Sequence, residues 1–121
     1  MIVDDNPSVL DLIASEVSKL GAEAITMNSP LQALQELKAN PSGWDAVILD
    51  YDMPEMNGAQ LAARIRDMWP PLPILLCTAL HEIEIEVSPS LFDERIIKSA
   101  ISNSLNQALI RLLNNTSVEG A

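Results

Sequence analysis

One stretch of the chain, from Val47 to Gly58, reads VILDYDMPEMNG and decides the fold. Its apolar start is a short run bounded by turn residues, which is typical of a strand buried on both faces of a parallel sheet. The run ends at Asp50, and Pro54 and Gly58 mark a turn soon after it. Open α/β sheets place their chemistry just beyond the carboxyl ends of such strands. Asp50 is therefore the first candidate for a reactive group.

Strand and helix patterns alternate along the rest of the chain, which predicts an α/β fold with a doubly wound, five-stranded parallel sheet. Helices are predicted after Asn6, Ser29 and Gly58, and a last one roughly from Ile101 to Asn114. In the third helix, Met68 is expected to face inward. The predicted strands cover residues 2–3, 22–27, 44–49 and 73–78, and a run that ends at residues 96–97.

The segment between the fourth and fifth strands departs from this pattern. His81 to Val87 alternates polar and apolar residues, which is strand-like, where the fold requires a crossover helix. We therefore expect a short or irregular fourth helix. At the other end of the chain, residues 1–115 are predicted to form one domain and residues 116–121 a flexible tail.

Composition narrows the class of protein. The formal net charge is −10, with only seven Lys and Arg residues, which argues against a nucleic-acid surface. No apolar run is long enough to span a bilayer, so no membrane contact is expected of this domain. Cys77 is the only cysteine, which excludes an internal disulfide and fits a reducing compartment. We predict a cytoplasmic location.

Acidic side chains are expected to meet at one edge of the sheet. The loops after the first, third and fourth strands open on the same side, which brings together Asp4, Asp5, Asp50 and Thr78. Carboxylates packed closely repel one another, and such a cluster is usually neutralised by a cation. Oxygen ligands with room for water suit Mg²⁺. A hydroxyl from Thr78 and a positive charge from Lys98 would suit a phosphoryl group at the same point.

These residues resemble the receiver domain of two-component response regulators, over nearly the whole chain. The resemblance implies a flavodoxin-like strand order, 2-1-3-4-5. It also implies a phosphoacceptor regulatory domain that is not itself an enzyme, although a parent polypeptide could be a histidine kinase. The matching signals are Asp4-Asp5 after an apolar start, Asp50 followed by Met53-Pro54 and Gly58, Thr78-Ala79 after an apolar strand, and Lys98.

The resemblance implies a role for each residue of the site. Asp50 would accept a phosphoryl group from a histidine kinase or a histidine phosphotransfer domain. Mg²⁺ would be held by Asp5 and Asp50 directly, by Asp4 through water, and by the backbone carbonyl of Asp52. The phosphoryl oxygens would be bound by Thr78, Lys98 and the backbone amide of Ala79.

Two positions depart from the family's pattern. The family usually has Pro after the site lysine, often through a cis bond, and here the residue is Ser99. A cis bond before a residue other than proline costs about 2.5–4 kcal/mol, so we expect a trans bond and a Lys98 aimed differently. The switch positions would be Thr78 and Arg95. At the position of Arg95 the family usually has an aromatic side chain that turns inward on activation. Turning Arg95 inward would bury a charge, so the usual switch is not expected.

Two other functions stay open. Asp50-Tyr51-Asp52 also looks like the opening of haloacid-dehalogenase-type phosphatases, in which Asp52 would be the acid/base. Alternatively, the chain is a receiver-like interaction module that does not use phosphate. For its setting, we expect the receiver of a hybrid sensor kinase or multidomain regulator with a linked kinase or output domain, because Met1 leaves the first strand short. A single-domain regulator is the alternative.

Overall fold

The computed structural model describes residues 1–79 and 91–120, and only the backbone for 115–120. Within these ranges a five-stranded sheet is flanked by helices on both faces. The elements are β1 (Ile2–Val3), α1 (Pro7–Lys19), β2 (Thr26–Met27), α2 (Pro30–Ala39), β3 (Val47–Asp50), α3 (Gly58–Met68), β4 (Ile74–Thr78), β5 (Glu94–Ile97) and α4 (Ile101–Gly120), the last preceded by a 3-10 turn at Lys98–Ala100.

The strand order is β2-β1-β3-β4-β5, and every pairing is parallel. The predicted doubly wound sheet with order 2-1-3-4-5 is thereby confirmed. The register pairs Asp50 with Cys77 and Thr78 with Ile97. Since the strands run in one direction, the residues at their carboxyl ends lie along one edge of the sheet.

Each face of the sheet carries its own apolar layer, which explains why the central strands are apolar throughout. Along β3, Val47 and Leu49 pack with α2 and α3, whereas Ile48 packs with α1 and α4. Along β4, Leu76 belongs to the first layer and Cys77 to the second. A strand with helices on both sides has no polar face, so its residues do not alternate.

The first three helices begin at side-chain caps. The Asn6 side chain accepts a hydrogen bond from the Ser8 amide, and Pro7 occupies the first helical turn. Asn57 and Gln60 form a reciprocal capping box at the start of α3, which satisfies two amides that the helix leaves unpaired. At the same place the Gly58 amide donates to the carbonyl of Tyr51, which holds the start of α3 next to the end of β3.

Several predicted details differ from the structure. β2 and β3 begin later than predicted, and α4 continues to Gly120 instead of ending at Asn114. The chain between those residues contains neither Gly nor Pro, so nothing in it stops the helix. Met68, expected inward, is 36% exposed; it is the last residue of α3.

Two sequence predictions concern the segments around the sheet. The expected short or irregular fourth helix falls on residues 80–90, which lie outside the described residues. The division into a domain of residues 1–115 and a flexible tail of residues 116–121 stays a prediction.

In the part of the chain that the structure describes, no helix is long and apolar enough to cross a membrane.

Candidate functional site

Three carboxylates meet where β1 and β3 end. Asp4, Asp5 and Asp50 each offer one carboxylate oxygen, and these oxygens all lie within 4.8 Å of one another. Asp4 and Asp50 are buried, whereas Asp5 is exposed. The predicted convergence of these acids therefore occurs, and it follows from the parallel pairing of β1 with β3.

Asp4 is held firmly by its neighbours. Its amide donates to the carbonyl of Met27 at 3.1 Å, which continues the β1–β2 pairing by one residue. Its Oδ1 accepts a hydrogen bond from the Asn6 amide at 2.9 Å. Its Oδ2 is fully buried and has no hydrogen-bond partner of acceptable geometry within the described structure. Oδ1 of Asp4 thus has a hydrogen bond, and Oδ2 is available to pair with a cation.

Lys98 supplies the positive charge at this site. Its Nζ lies 2.9 Å from Asp50 Oδ1 and 3.2 Å from Asp4 Oδ2. The second contact is an ion pair by distance. No described peptide bond is cis, so the bond between Lys98 and Ser99 is trans. The expectation that a trans bond would aim Lys98 elsewhere is wrong, because its long, flexible side chain reaches the acids from the 3-10 turn.

The electrostatics of the site follow from burial and crowding. Burial raises the pKa of Asp50 to about 6. The hydrogen bond from Lys98 opposes this rise, and the charges of Asp4 and Asp5 add to it. Burial acts to lower the pKa of Lys98, but the hydrogen bond and charge of Asp50, with the charge of Asp4, raise it overall. The lysine is therefore charged at neutral pH, and its ammonium is shared between two acids.

The donor set fits a hard divalent cation. Carboxylate oxygens are the ligands that Mg²⁺ prefers, and it commonly keeps several waters, for which the exposed side of Asp5 leaves access. The buried Asp4 Oδ2, which lacks a hydrogen bond, is a second sign that a cation belongs here.

The remaining predicted site residues lie at the same edge. Thr78 is buried at the end of β4, in register with Ile97, the residue before Lys98. Ala79 follows Thr78 and is exposed. The side chain of Asp52 is exposed, two residues beyond the end of β3.

Arg95 lies away from this cluster. It is half-buried on β5, in register with Leu76, and its guanidinium carbon lies 5.6 Å from the centre of the Phe92 ring. The charge is therefore stacked on an aromatic face and is not buried toward the acids. That Arg95 does not reproduce the family's usual aromatic switch stays a prediction.

Gly58 supports the acceptor in a way that sequence reasoning missed. Its amide donates to the carbonyl of Tyr51 at 2.7 Å, and a Cβ at this position would overlap the backbone oxygen of Asp50. The sequence indicated only a turn at Gly58. The close approach of the α3 backbone to Asp50 could not be read from it, since it depends on how the helix packs.

A hydrogen bond from Ser29 also reaches the loop after Asp50. The hydroxyl of Ser29 donates to Glu55 Oε1 at 2.9 Å, which joins the start of α2 to this loop. The hydrogen bond lies at the surface, so the contact is modest in energy.

Comparison with known proteins shows what the chain is similar to. The family model described as "Response regulator receiver domain" matches residues 1–91. The autoinducer 1 sensor kinase/phosphatase LuxN of Vibrio harveyi is 30% identical over 122 residues, which cover 100% of this chain and 14% of LuxN. The sensor histidine kinase RcsC of Salmonella typhi is 33% identical over 111 residues, covering 90% of this chain and 12% of RcsC. The chain thus spans a small part of these relatives.

Solved structures agree with the family match. The response regulator protein TrrA from Thermotoga maritima, in complex with Mg(2+)-BeF, superposes with a TM-score of 0.83 and 30% identity, covering 93% of this chain and 96% of TrrA. A response regulator receiver domain protein from Clostridium thermocellum superposes with a TM-score of 0.87, covering 97% and 94%; at 22% identity it supports the fold alone.

The family match sets aside the phosphatase interpretation of Asp50 and Asp52, because receiver domains are regulatory phosphoacceptors and not enzymes in the ordinary sense. The match extends over three quarters of the chain, and the sheet topology agrees with it. This chain belongs to the response regulator receiver domains of two-component signalling.

Proposed function

We propose that this chain accepts a phosphoryl group on Asp50 in a Mg²⁺-dependent reaction, from a phosphohistidine on a histidine kinase or a histidine phosphotransfer domain. The observation that carries the proposal is the contact of Asp50 Oδ1 with Lys98 Nζ at 2.9 Å, inside a cluster of three carboxylates. A nucleophilic carboxylate, a cation site and a fixed ammonium are the parts that phosphoryl transfer requires.

In the proposed step, a carboxylate oxygen of Asp50 attacks phosphorus, the phosphorus–nitrogen bond of phosphohistidine breaks, and the leaving imidazole nitrogen takes a proton from solvent. The product is an aspartyl phosphate. The chain's share of the work is positioning and charge stabilisation. Lys98, the hydroxyl of Thr78 and the backbone amide of Ala79 would bind the phosphoryl oxygens, since all three residues lie at the same edge of the sheet.

Mg²⁺ would be held by Asp5 and Asp50 directly, by Asp4 through water and by the backbone carbonyl of Asp52. When bound, the metal offsets negative charge that develops on the transferred group. Support comes from the acid cluster itself and from TrrA, a similar protein whose solved structure is a complex with Mg(2+)-BeF.

The setting of the domain is also part of the proposal. LuxN and RcsC are sensor kinases, and the NtrX structure from Brucella abortus, of which this chain covers 27%, is likewise a longer protein. We therefore favour a receiver within a hybrid sensor kinase or multidomain regulator, with a linked kinase or output domain. A cytoplasmic location fits this setting and the reduced, buried Cys77.

The proposal is tested by incubating the purified chain with acetyl phosphate and MgCl₂ and measuring its intact mass. We expect one added phosphoryl group, absent after Asp50→Asn and absent when the metal is chelated. Asp52→Asn is the matched control, because it removes an exposed carboxylate from the same loop without removing the backbone carbonyl. A wild-type mass that never changes, or a phosphoryl group that persists in Asp50→Asn, would contradict the proposal.

A further inference from the structure

The loop between β3 and α3, residues 51–57, is held firmly at both ends. The carbonyl of Tyr51 accepts a hydrogen bond from the Gly58 amide at 2.7 Å, and the side chain of Asn57 caps α3. The middle of the loop, residues 52–56, contains the backbone carbonyl that we propose as a ligand of Mg²⁺. The contacts that fix this middle therefore bear on the metal site.

Two kinds of contact reach the middle of the loop. Met53 and Met56 are buried in the apolar layer that α2 and α3 share with the sheet. Between them, Glu55 Oε1 accepts a hydrogen bond from the hydroxyl of Ser29 at 2.9 Å. Among the described residues, this is the only side-chain hydrogen bond that joins residues 52–56 to another element.

The two kinds of contact restrict the loop differently. Apolar packing has no preferred direction, and a methionine side chain adapts to its surroundings through three rotatable bonds. A hydrogen bond is favourable only over a narrow range of distances and angles. Pro54 has no amide with which to form another. The buried methionines therefore hold the loop on the core, whereas the hydrogen bond from Ser29 restricts how its backbone is turned.

Ser29 is itself well anchored. Its carbonyl accepts a hydrogen bond from the Ala33 amide at 3.1 Å, and its hydroxyl accepts one from the Gln32 amide at 3.4 Å, at the start of α2. Two residues earlier, the carbonyl of Met27 accepts the amide of Asp4. Ser29 is thus joined both to α2 and to the strand end that carries an acid of the site.

We propose that Ser29 is a positioning residue, whose hydrogen bond to Glu55 turns the loop so that the backbone carbonyl of Asp52 faces the metal site. The inference rests on the proposed function, since it requires that carbonyl to be a ligand of Mg²⁺. Because Mg²⁺ demands near-ideal octahedral geometry, a ligand on a loosely held loop binds it less well. Neither Ser29 nor Glu55 is itself a ligand in this arrangement.

The first experiment measures Mg²⁺ binding by isothermal titration with MgCl₂ at constant ionic strength. We expect Ser29→Ala to bind Mg²⁺ about threefold more weakly than the wild-type chain, as befits the loss of one hydrogen bond at the surface. Glu55→Ala should bind about threefold more weakly than Glu55→Gln. The glutamine is the matched control, because it loses the same charge but keeps an oxygen that can accept the hydrogen bond.

Ser29 also caps α2, so the effect of the cap must be separated from that of the hydrogen bond to Glu55. Ser29→Thr keeps both and should bind Mg²⁺ as the wild-type chain does. When Ser29→Ala is added to Glu55→Ala, it can remove only the cap. Its effect on Mg²⁺ binding should then vanish, while its loss of stability in urea denaturation remains. A residue that merely supports the fold would not show this split.

The second experiment examines the loop without metal. Backbone order parameters of residues 52–56 are measured by ¹⁵N relaxation in the metal-free wild-type chain and in Glu55→Ala. We expect them to fall from about 0.85, the value of a rigid backbone, toward about 0.6 in the variant. Those of α2 should not change, because Glu55→Ala leaves its cap in place.

The outcomes separate this inference from the proposed function. If Ser29→Ala binds Mg²⁺ as tightly as the wild-type chain, if its effect persists in the Glu55→Ala background, or if the order parameters do not change, the inference is overturned while metal binding stands. If the wild-type chain binds no Mg²⁺, both fail. If the predicted split is found but Asp50 never gains a phosphoryl group, the proposed phosphoacceptance fails alone.

Discussion

Gly58 packs against the backbone carbonyl of Asp50 more closely than any side chain would allow. A Cβ at Gly58 would overlap that oxygen and lie 3.0 Å from the Cα of Tyr51. Because these are backbone atoms next to the proposed acceptor, they cannot turn aside as a flexible side chain could. The first turn of α3 therefore fixes where the end of β3 lies.

We expect Gly58→Ala to displace α3 or the end of β3, with a loss of about 1–3 kcal/mol in the free energy of unfolding. Phosphorylation by acetyl phosphate should slow by about tenfold or more, since a small misplacement of a reacting group is costly. Urea denaturation and intact-mass time courses measure the two effects.

Gly21→Ala is the control for this variant. Gly21 has φ of +80°, and no neighbouring atom lies within 4 Å of the position that a Cβ would take. Alanine there costs about 1–2 kcal/mol through backbone strain alone. It should destabilise the domain without slowing phosphorylation. Equal slowing in both variants would show that lost stability, and not the position of Asp50, explains the effect.

Ionised Asp50 destabilises the metal-free domain. Its pKa is raised to about 6 in the folded state from 3.8, chiefly by burial. The folded state therefore holds this proton over a pH range in which the unfolded state has lost it. Its contribution to stability is fully present below pH 3.8 and is lost as the pH rises through about 6. At neutral pH the ionised carboxylate therefore carries a cost in stability.

Asp50→Asn removes this cost, so we expect a higher Tm than that of the wild-type chain at pH 7.5 with chelator present. The difference should shrink as the pH is lowered toward 4, because wild-type Asp50 becomes protonated. Thermal denaturation followed by circular dichroism gives both results. A variant that melts below the wild-type chain at pH 7.5 would show that the pairing with Lys98 outweighs burial.

Arg66 joins three segments at the opposite edge of the sheet. Its guanidinium donates to the carbonyls of Pro70, Leu72 and Leu91, and it pairs with Asp93 Oδ2 at 2.6 Å. We expect Arg66→Lys to lose about 1–3 kcal/mol of stability, because lysine cannot reproduce the planar fork and leaves acceptors unpaired.

Arg64→Lys is the matched control for Arg66→Lys, since Arg64 is exposed on the same helix. Urea denaturation should show little change for Arg64→Lys. Under conditions where Arg66→Lys is folded, its phosphorylation should proceed at the wild-type rate. The reason is distance, because the whole length of β4 separates Arg66 from the site. A slowed reaction would indicate that the two edges of the sheet are coupled.

Arg95 stacks on Phe92 and should make a small contribution. We expect Arg95→Ala to cost about 1 kcal/mol of stability, because the cation–π contact with Phe92 is only partly shielded from water. The rate of phosphorylation should be unchanged, since Arg95 lies in register with Leu76 and not at the end of the sheet. Lys98→Gln provides the contrast, because it should slow phosphorylation. Equal slowing in Arg95→Ala would place Arg95 in the reaction.

Much of the site could be predicted from local patterns. Two apolar runs each stop at acidic residues, one at Asp50 and the other at Asp4 and Asp5. Such runs indicate the ends of strands, whichever way the chain packs. Once the sheet is taken to be parallel, those ends share an edge, so the meeting of the acids follows from topology. The predicted helix starts depend on caps that act within four residues.

Other features arise only from contacts between distant segments. The exposure of Met68 depends on how the last turn of α3 packs, although its place in the periodic pattern predicted an inward side chain. The trans bond at Ser99 follows from the sequence, but the reach of Lys98 does not, because rotamers of a long side chain are chosen by the charges they meet.

The sequence by itself determined the order of strands and helices and the acids at the strand ends, because local hydrophobic period and turn chemistry carry that information. The departures at Arg95 and Ser99 are visible only against the resemblance to receiver domains. Only the tertiary structure decided that one ammonium bridges Asp4 and Asp50 and that Gly58 touches the acceptor's backbone. Distances of a few ångströms between segments far apart in the chain are settled by packing and charge in three dimensions, which no local pattern encodes.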